Sequence, residues 1–194
     1  MARSKEFDMN LVLHKAMEVF GHYGYEGTSL PILLEGLGIA RQSLYDTYGT
    51  KKDLFIKAVK HYVNEKSSAV VVLLGKSESV KEAIHEIFRE IVFVLQDEDR
   101  RKECFILSSA IDQVPHEPEI AALFEEDRIR LERAFYEALV RAKQRQELNT
   151  DKDLQMLARY LYHSRYALTQ VAKLTNDPKV LEEITTVTLS TLEA

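Results

Sequence analysis

The chain has 194 residues, 45% of them hydrophobic and 29% charged, with a formal net charge of −5 at pH 7 and one cysteine. This balance is typical of a globular protein of one or two domains, and a single cysteine excludes an internal disulfide and fits a reducing compartment. The first residues lack the apolar core of a signal peptide, and the longest apolar run, from Ala69 to Leu74, is too short to span a bilayer. We therefore expect a cytoplasmic protein.

Two short helices joined by a glycine turn are predicted between about residues 28 and 48. Thr28 is expected to cap the first helix, because its hydroxyl can accept from the free amides of the following turn. Pro31 falls early in that helix, where a missing N–H costs little. Gly36-Leu37-Gly38 is expected to end it.

The second of these helices has one apolar and one polar side. Ile39 and Leu44 give it an apolar side, which fixes its angle against the first helix. The side chains left free on the outer side are Arg41, Gln42, Ser43 and Thr47. Arginine and glutamine can make bidentate bonds to guanine and adenine edges, while serine and threonine fit base edges or phosphates. The pattern predicts a helix-turn-helix that reads DNA in the major groove.

Glycine and charge divide the chain into a head and a body. All seven glycines lie at or before Gly75, and the glycine-free remainder is typical of long helices. Residues 1–66 carry nine Lys and Arg and eight Asp and Glu, a net charge of +1, and the rest carries −6. An acidic body would orient the head toward DNA. A weakly basic head predicts few phosphate contacts and a shallow salt dependence of binding.

The body is predicted to be helical throughout, without strand alternation, repeats or low-complexity segments. Capping boxes open the fourth helix at Thr50 and the fifth at Ser79. A charged turn and a short apolar segment from Cys104 to Ile111 follow. Three further helices are expected to begin near Pro118, at Thr150 to Asp153, and at Asp177-Pro178.

Residues 11–62 resemble the DNA-binding domain of the TetR family of bacterial transcriptional regulators. The matching pieces are Ala16-Met17-Glu18-Val19-Phe20, Gly24-Tyr25, Gly27-Thr28-Ser29-Leu30, Gly38-Ile39, Ser43-Leu44-Tyr45 and Tyr48-Gly49-Thr50-Lys51-Lys52-Asp53-Leu54-Phe55. Two positions depart from the family pattern. Ala40 stands where Ser or Thr usually caps the recognition helix, and Leu34 stands where a small residue is frequent. The missing cap predicts a recognition helix that is less stable by ~1 kcal/mol in isolation.

The resemblance implies an all-α protein of about nine helices. It implies a three-helix DNA-binding domain in residues 1–66 and an effector-binding and dimerisation domain in residues 67–194. The expected function is that of a repressor, which binds an inverted-repeat operator in double-stranded DNA as a homodimer and is released by a small-molecule effector. No cofactor, metal or membrane partner is expected. A helical protein-interaction module without DNA binding is the alternative.

The candidate DNA-binding residues come from the helix-turn-helix and the start of the fourth helix. They are Thr28, Ser29, Arg41, Gln42, Ser43, Tyr45, Thr47, Tyr48 and Lys51. The resemblance implies phosphate contacts for Tyr45 and Lys51, and helix-start amides would assist Lys51. Tyr45 has the alternative of packing on the first helix, and Tyr48 is as well explained by the core as by DNA.

The last two long helices supply candidate dimer contacts, since reading two half-sites requires two recognition helices. These residues are Leu154, Ala158, Leu161, Ala167, Leu168, Val171, Ile184, Val187, Thr188 and Leu192. The resemblance implies a four-helix dimer interface built from these helices. The alternative is that all ten residues belong to the core of one chain.

An effector pocket is implied in the body, with core-facing aromatic residues as an apolar lining and tyrosine hydroxyls as polar groups. Its candidate residues are Phe88, Cys104, Phe105, Phe135, Tyr136, Tyr162 and Tyr166. Each aromatic residue has the alternative of simply filling the core. Cys104 is either a small buried hydrophobe or a reactive thiol favoured by the basic run Arg100-Arg101-Lys102 and opposed by Glu103.

An enzyme is not expected. Glu82-Ala-Ile-His85 is the only Glu-x-x-His, and a di-iron bundle needs two such motifs. No second histidine stands four residues after His85, which excludes a zincin site. Gly-rich phosphate loops, Cys-x-x-Cys motifs and nucleophile elbows are absent from the sequence.

Overall fold

A computed structural model of the chain describes the backbone of residues 2–193 and the side chains of residues 9–193. Over residues 2–193 the backbone forms helices and turns without a β-strand, which confirms the all-α prediction. The helices are α1 Ala2–Gly27, α2 Leu30–Leu37, α3 Arg41–Tyr48, α4 Lys51–Lys76, α5 Val80–Gln96, α6 Arg101–Cys104, α7 Ile106–Gln113, α8 Pro118–Gln144, α9 Leu154–Leu174 and α10 Pro178–Ser190. None of these described helices is long and apolar enough to cross a membrane.

Several helices begin where the sequence places a capping residue. Ser79 accepts a hydrogen bond from the amide of Glu82 at the start of α5, and Asp153 accepts from two amides at the start of α9. Asp177 caps α10 with Pro178 in its first turn. The apolar segment predicted from Cys104 to Ile111 is two short helices, α6 and α7, which meet at Phe105.

The chain forms two compact units. The first comprises residues up to 64 together with residues 98–123, and the second comprises residues 65–97 and 124–194. The division within α4 lies next to the head–body boundary predicted at residue 66. Residues 98–123 fall with the helix-turn-helix, although their composition groups them with the body.

The first unit is built on α1. Phe20 is fully buried and its ring lies 4.9 Å from that of Phe55 on α4. On another side of α1, the hydroxyl of Ser109 on α7 donates to the carbonyl of Phe20 at 2.7 Å. Gly21 follows, and a side chain there would overlap the carbonyl oxygen of Lys102. The absence of a Cβ therefore lets α6 and α7 approach the backbone of α1 closely.

The second unit is formed by α5, α9 and α10 together with most of α8. Its fully buried large side chains include Phe88 on α5 and Phe135 on α8, with Leu161 and Leu168 on α9. Burial of such side chains supplies most of the stabilisation of a domain of this kind.

The turn after α8 holds the start of α5 in this unit. The carboxylate of Glu147 accepts hydrogen bonds from the Ser79 hydroxyl at 2.5 Å and from the amides of Lys81 at 2.7 Å and Val80 at 3.0 Å. Burial alone would raise the pKa of Glu147, but these hydrogen bonds outweigh it and lower the pKa below its usual value. The ionised carboxylate thus satisfies helix-start amides that have no partner within α5.

Replacing Glu147 with glutamine is expected to lower the free energy of unfolding by about 1–2 kcal/mol near neutral pH, because the helix start loses its anionic cap. The folded-state pKa is depressed, so this stabilisation is present above the unfolded value of about 4.5 and is lost as the pH falls through the lower folded value. Thermal unfolding of both proteins as a function of pH measures the effect. A difference in Tm that stays constant into strong acid would contradict this assignment.

Candidate nucleic-acid interface

Helix α2 begins one residue later than the sequence suggested. Ser29, not Thr28, is the N-cap, and its side chain accepts from the amide of Ile32 at 3.4 Å. The prediction that Thr28 caps α2 is wrong, because its hydroxyl donates back to the carbonyl of Gly24 at 2.6 Å and its side chain is fully buried. Ser29 is exposed beside it.

The turn after α2 sets the angle of the next helix. Gly38 has φ of 67° and ψ of 32°, and its amide donates to the carbonyls of Leu34 and Glu35. This left-handed conformation is one that glycine adopts without a Cβ penalty, and it ends α2 as predicted. Leu33 and Leu37 are buried beneath it.

Helix α3 has the buried and exposed faces expected of a recognition helix. Leu44 is fully buried and Tyr48 nearly so, whereas the predicted polar face is exposed at Arg41, Gln42, Ser43 and Thr47. Ala40 provides no side-chain cap at its start. The free amides of the first turn therefore depend on solvent or on a bound partner.

Side chains along the exposed face of α3 also contact one another. The guanidinium of Arg41 lies 5.6 Å from the ring centre of Tyr45, which is exposed. The amide nitrogen of Gln42 donates to Asp46 at 2.7 Å, one helical turn away. This bond holds the Gln42 side chain along the helix and leaves its carbonyl oxygen as an acceptor.

Tyr48 lies in the core, which was the alternative to a contact with DNA. It is 4% exposed, and its hydroxyl donates to the carbonyl of Met9 on α1 at 3.2 Å. Little of this side chain is accessible for a contact with DNA.

Three lysines of the first unit cap the carboxyl ends of its helices. Lys51 donates to the carbonyls of Tyr25 and Thr28 at 2.9 Å and lies over the Tyr25 ring. Lys15 donates to the carbonyl of Leu37 at 3.4 Å at the end of α2. Lys57 donates to the carbonyl of Tyr48 at 2.8 Å at the end of α3. A cation at a helix carboxyl end satisfies orphan carbonyls and complements the helix dipole.

The start of α4 is fixed by the capping box predicted there. Asp53 accepts from the amide of Thr50 at 2.8 Å and from its hydroxyl at 2.7 Å. These two bonds, the backbone one first, lower the pKa of the Asp53 carboxyl. The neighbouring Lys52 forms an ion pair with Glu117 at 2.6 Å.

Comparison with known proteins identifies the family. Residues 12–58 match the sequence model of the bacterial regulatory proteins of the tetR family. The uncharacterized HTH-type transcriptional regulator YezE of Bacillus subtilis (strain 168) is 57% identical over 194 residues, which is 100% of both chains. The chain belongs to the tetR family. It is therefore a helix-turn-helix transcriptional regulator.

Two more distant comparisons agree with this. The HTH-type transcriptional repressor ComR of Escherichia coli (strain K12) is 28% identical over 160 residues, covering 82% of this chain and 76% of ComR. A solved structure of the tetR-family regulator CifR, a cysteine mutant in complex with a 26-bp double-strand operator DNA, superposes with a TM-score of 0.77 at 28% identity. That match covers 92% of this chain and 93% of the CifR chain.

The candidate dimer residues of this tetR-family chain divide between core and surface. Those buried within the second unit are Ala158, Leu161, Leu168, Thr188 and Leu192. For these five the alternative interpretation as core of one chain is correct, because a buried side chain offers no surface to a partner. Ala167 and Val187 are exposed, and those partly exposed are Leu154, Val171 and Ile184.

Sequence reasoning missed the most exposed apolar residues of α9. Met156 is 69% exposed, Tyr160 43% and Leu174 86%. Together with Ala167 they recur at spacings of four and seven residues and form one stripe along the helix, which we call the α9 stripe. The heptad-like spacing was the available signal, since it is typical of helices that pair.

The candidate effector residues do not fall in one unit. Cys104 and Phe105 lie in the first unit and the other five in the second. Phe88 and Phe135 are fully buried core residues. The prediction that Tyr136 faces the core is wrong, because it is 38% exposed. Cys104 is 6% exposed, as expected for a small buried hydrophobe.

Proposed function

We propose that the protein is a repressor that binds an inverted-repeat operator as a homodimer and releases it when a small molecule binds the second unit. The main support for DNA binding is that α3 has two different faces. Leu44 and Tyr48 are buried on one face, and the polar residues are exposed on the other. Repression is supported by the E. coli relative, which is a transcriptional repressor. A cytoplasmic location, where operator DNA is found, completes the proposal.

The proposed roles within the interface follow from exposure. Arg41 and Gln42 contact base edges, and Ser43 and Thr47 contact bases or phosphates. Ser29 and Tyr45, both exposed, contact phosphates. The remaining candidates, Thr28, Tyr48 and Lys51, act as positioning residues, since their polar groups are engaged within the first unit. In this proposal residues 1–66 carry DNA binding, and residues 67–194 carry effector binding and dimerisation.

A gel-shift experiment with DNA from upstream of the protein's own gene tests this function. The full-length protein is expected to retard that fragment in the presence of excess unrelated DNA. A helical protein-interaction module without DNA binding would not retard the fragment. The absence of a specific shift on this promoter and on neighbouring promoters would therefore favour that alternative.

The salt dependence of operator binding is expected to be shallow. Lys15, Lys51 and Lys57 donate to helix carbonyls, and Lys52 pairs with Glu117, so these four cations are already engaged. Because the slope of log K against log salt reports the phosphates neutralised, few contacts give a small slope. Titrations between about 50 and 200 mM salt measure it. A slope near −10, as in interfaces with many phosphate contacts, would refute the expectation.

Dimerisation is proposed to use the α9 stripe, since exposed apolar surface at heptad-like spacing is typical of helix pairs. Replacing Met156 with glutamate is expected to shift the mass in dilute solution from dimer toward monomer, because a charge would have to be buried in an apolar interface. Gln155→Glu is the matched control, as it places the same charge on the adjacent exposed position outside the stripe. Light scattering after size exclusion measures both. Equal dimer fractions for the two variants would remove the stripe from the interface.

Release by the effector is proposed to be a population shift. In this scheme the dimer has two forms, and only one of them spaces the recognition helices correctly for DNA. The effector lowers operator affinity by the factor by which it binds the other form more tightly. Linkage then requires that operator DNA weaken effector binding by the same factor.

A further inference from the structure

The second unit contains a cluster of charged side chains on α8 and α9 in which two carboxylates are withdrawn from solvent. The Asp127 side chain is 1% exposed, lies 3.1 Å from the guanidinium of Arg130, and accepts from the Tyr166 hydroxyl at 2.9 Å. The Glu132 side chain is 5% exposed and lies 3.1 Å from Arg128 and 3.5 Å from Arg159. Buried carboxylates of this kind need partners, and both lie within ion-pair distance of a guanidinium.

Arg165 on α9 differs from the other arginines of this cluster. Its Nε and Nη1 atoms are buried and have no hydrogen-bond partner among the described residues. Buried donors without a partner are rare in native proteins, because each loses its hydrogen bonds to water and gains none. Two unpartnered buried donors on one guanidinium therefore indicate a site for a bound acceptor.

Two tyrosines lie within electrostatic reach of Arg165. Burial raises the pKa of Tyr162 to about 12, and the positive charge of Arg165 acts in the opposite direction. Burial and then Asp127 raise the pKa of Tyr166, with Arg165 again opposing. Both hydroxyls are therefore protonated at neutral pH. Tyr166 follows Arg165 directly on α9, and its ring contacts those of Tyr162 at 5.2 Å and Phe124 at 5.9 Å.

The charges of the cluster indicate the charge of the ligand that would bind Arg165. Three carboxylates, Asp127, Glu132 and Glu125, are bound by Arg130, Arg128 and Arg159. Arg165 is a further guanidinium, and it forms no ion pair with a carboxylate of residues 9–193. One negative charge balances it, whereas a doubly charged phosphate would exceed it beside two buried carboxylates.

We propose that Arg165 binds the carboxylate of a monovalent organic acid, and that the rings of Phe124 and Tyr166, which are partly exposed, receive its apolar part. A guanidinium donates charge-assisted hydrogen bonds to a carboxylate, and Nε and Nη1 of Arg165 are the donors left without partners. The inference rests on the proposed function in one respect: the acid is the effector that releases operator DNA.

Binding to the full-length protein without DNA tests the site. The probes are benzoate and octanoate, each compared with its neutral amide, benzamide and octanamide. At least one carboxylate is expected to raise Tm in a concentration-dependent way and to bind by calorimetry, while its amide does not. Arg165→Met is expected to weaken carboxylate binding by roughly 10- to 150-fold, the loss typical of a charged hydrogen bond.

The stability of the unliganded variant separates a ligand anchor from a structural residue. Removing an orphan buried charge is expected to raise the Tm of the free protein, by roughly 2–4 °C. Removing an arginine that is held in a buried ion pair would lower it, whereas an exposed pair contributes little. Arg133→Met, an exposed arginine on α8 paired with Glu137, is the control and is expected to change neither Tm nor binding appreciably. Arg165→Gln is expected to show the same loss of carboxylate binding as Arg165→Met.

Four results would overturn the proposal: no binding of either carboxylate, equal binding of acid and amide, unchanged carboxylate binding by both Arg165 variants, or a lower Tm for free Arg165→Met. These outcomes are independent of DNA binding. A protein that binds the carboxylate but retards no promoter would overturn the proposed function and leave the site intact. A protein that retards its promoter but binds no carboxylate would do the reverse.

Discussion

Replacing Arg41 with alanine is expected to weaken operator binding by roughly 5- to 150-fold, which corresponds to the 1–3 kcal/mol that a bidentate arginine–guanine contact contributes to discrimination. Arg41 is exposed at the first position of α3, so its loss is expected to remove the proposed contact with DNA and to leave the core unchanged. Its contact with the Tyr45 ring is at the surface and contributes little to folding. Fluorescence anisotropy with operator DNA measures the affinity, and thermal unfolding checks that Tm is nearly unchanged.

Two further variants make this result interpretable. Arg41→Lys keeps the charge but loses the bidentate geometry, so it is expected to retain more affinity than alanine and to relax specificity at one base pair. Arg133→Ala removes an exposed arginine from α8 in the second unit and is expected to bind operator like the unmodified protein. If Arg41→Ala and Arg133→Ala bound equally well, Arg41 would not contact the bases.

Replacing Gly21 with alanine is expected to lower the free energy of unfolding although it adds only one methyl group. A Cβ at this position would overlap the carbonyl oxygen of Lys102 and lie 3.1 Å from the Ile106 amide nitrogen. Both neighbours are backbone atoms, which cannot move aside as a flexible side chain can. Overpacking of this kind typically costs about 1–3 kcal/mol, so Tm is expected to fall by roughly 2–12 °C for a protein of this size.

Gly75→Ala is the matched control for this prediction. Gly75 lies near the end of α4, and a Cβ there would meet no atom within 4 Å. Alanine in a helix loses less backbone entropy than glycine, so this variant is expected to gain roughly 0.5–1 kcal/mol. Equal Tm values for the two variants would mean that α6 and α7 do not press on α1 at Gly21.

The helix-turn-helix could be predicted from sequence because its determinants are local. A glycine with positive φ, an early proline and buried residues at helical spacing all act within a few residues of one another. The misassigned cap of α2 marks the limit. Thr28 and Ser29 are both good capping residues, and the choice depends on the carbonyl of Gly24 that takes the Thr28 hydroxyl.

Non-local contacts determine which side chains are engaged or buried within the fold, and the sequence does not show them. Lys51 has the chemistry of a phosphate contact, but the carbonyls that it binds come from residues 25 and 28. Helix α9 is apolar on more than one side, and its neighbours determine that Leu161 and Leu168 face inward while Met156 and Leu174 face outward. Spacing gives the periodicity of such a helix but not which side is covered. Arg165 was missed because only the fold buries it.

The close approach at Gly21 limits how this protein can be divided for experiments. One face of α1 is covered by α6 and α7, which begin more than 70 residues after α1 ends yet belong to the same compact unit. A fragment ending at residue 66 would uncover the carbonyl of Phe20 and the buried side chains packed beside it. Neither a single proteolytic cut nor a simple fusion of the N-terminal segment to another regulator would therefore preserve the DNA-binding unit, and chimeras need residues 98–123 from the same parent.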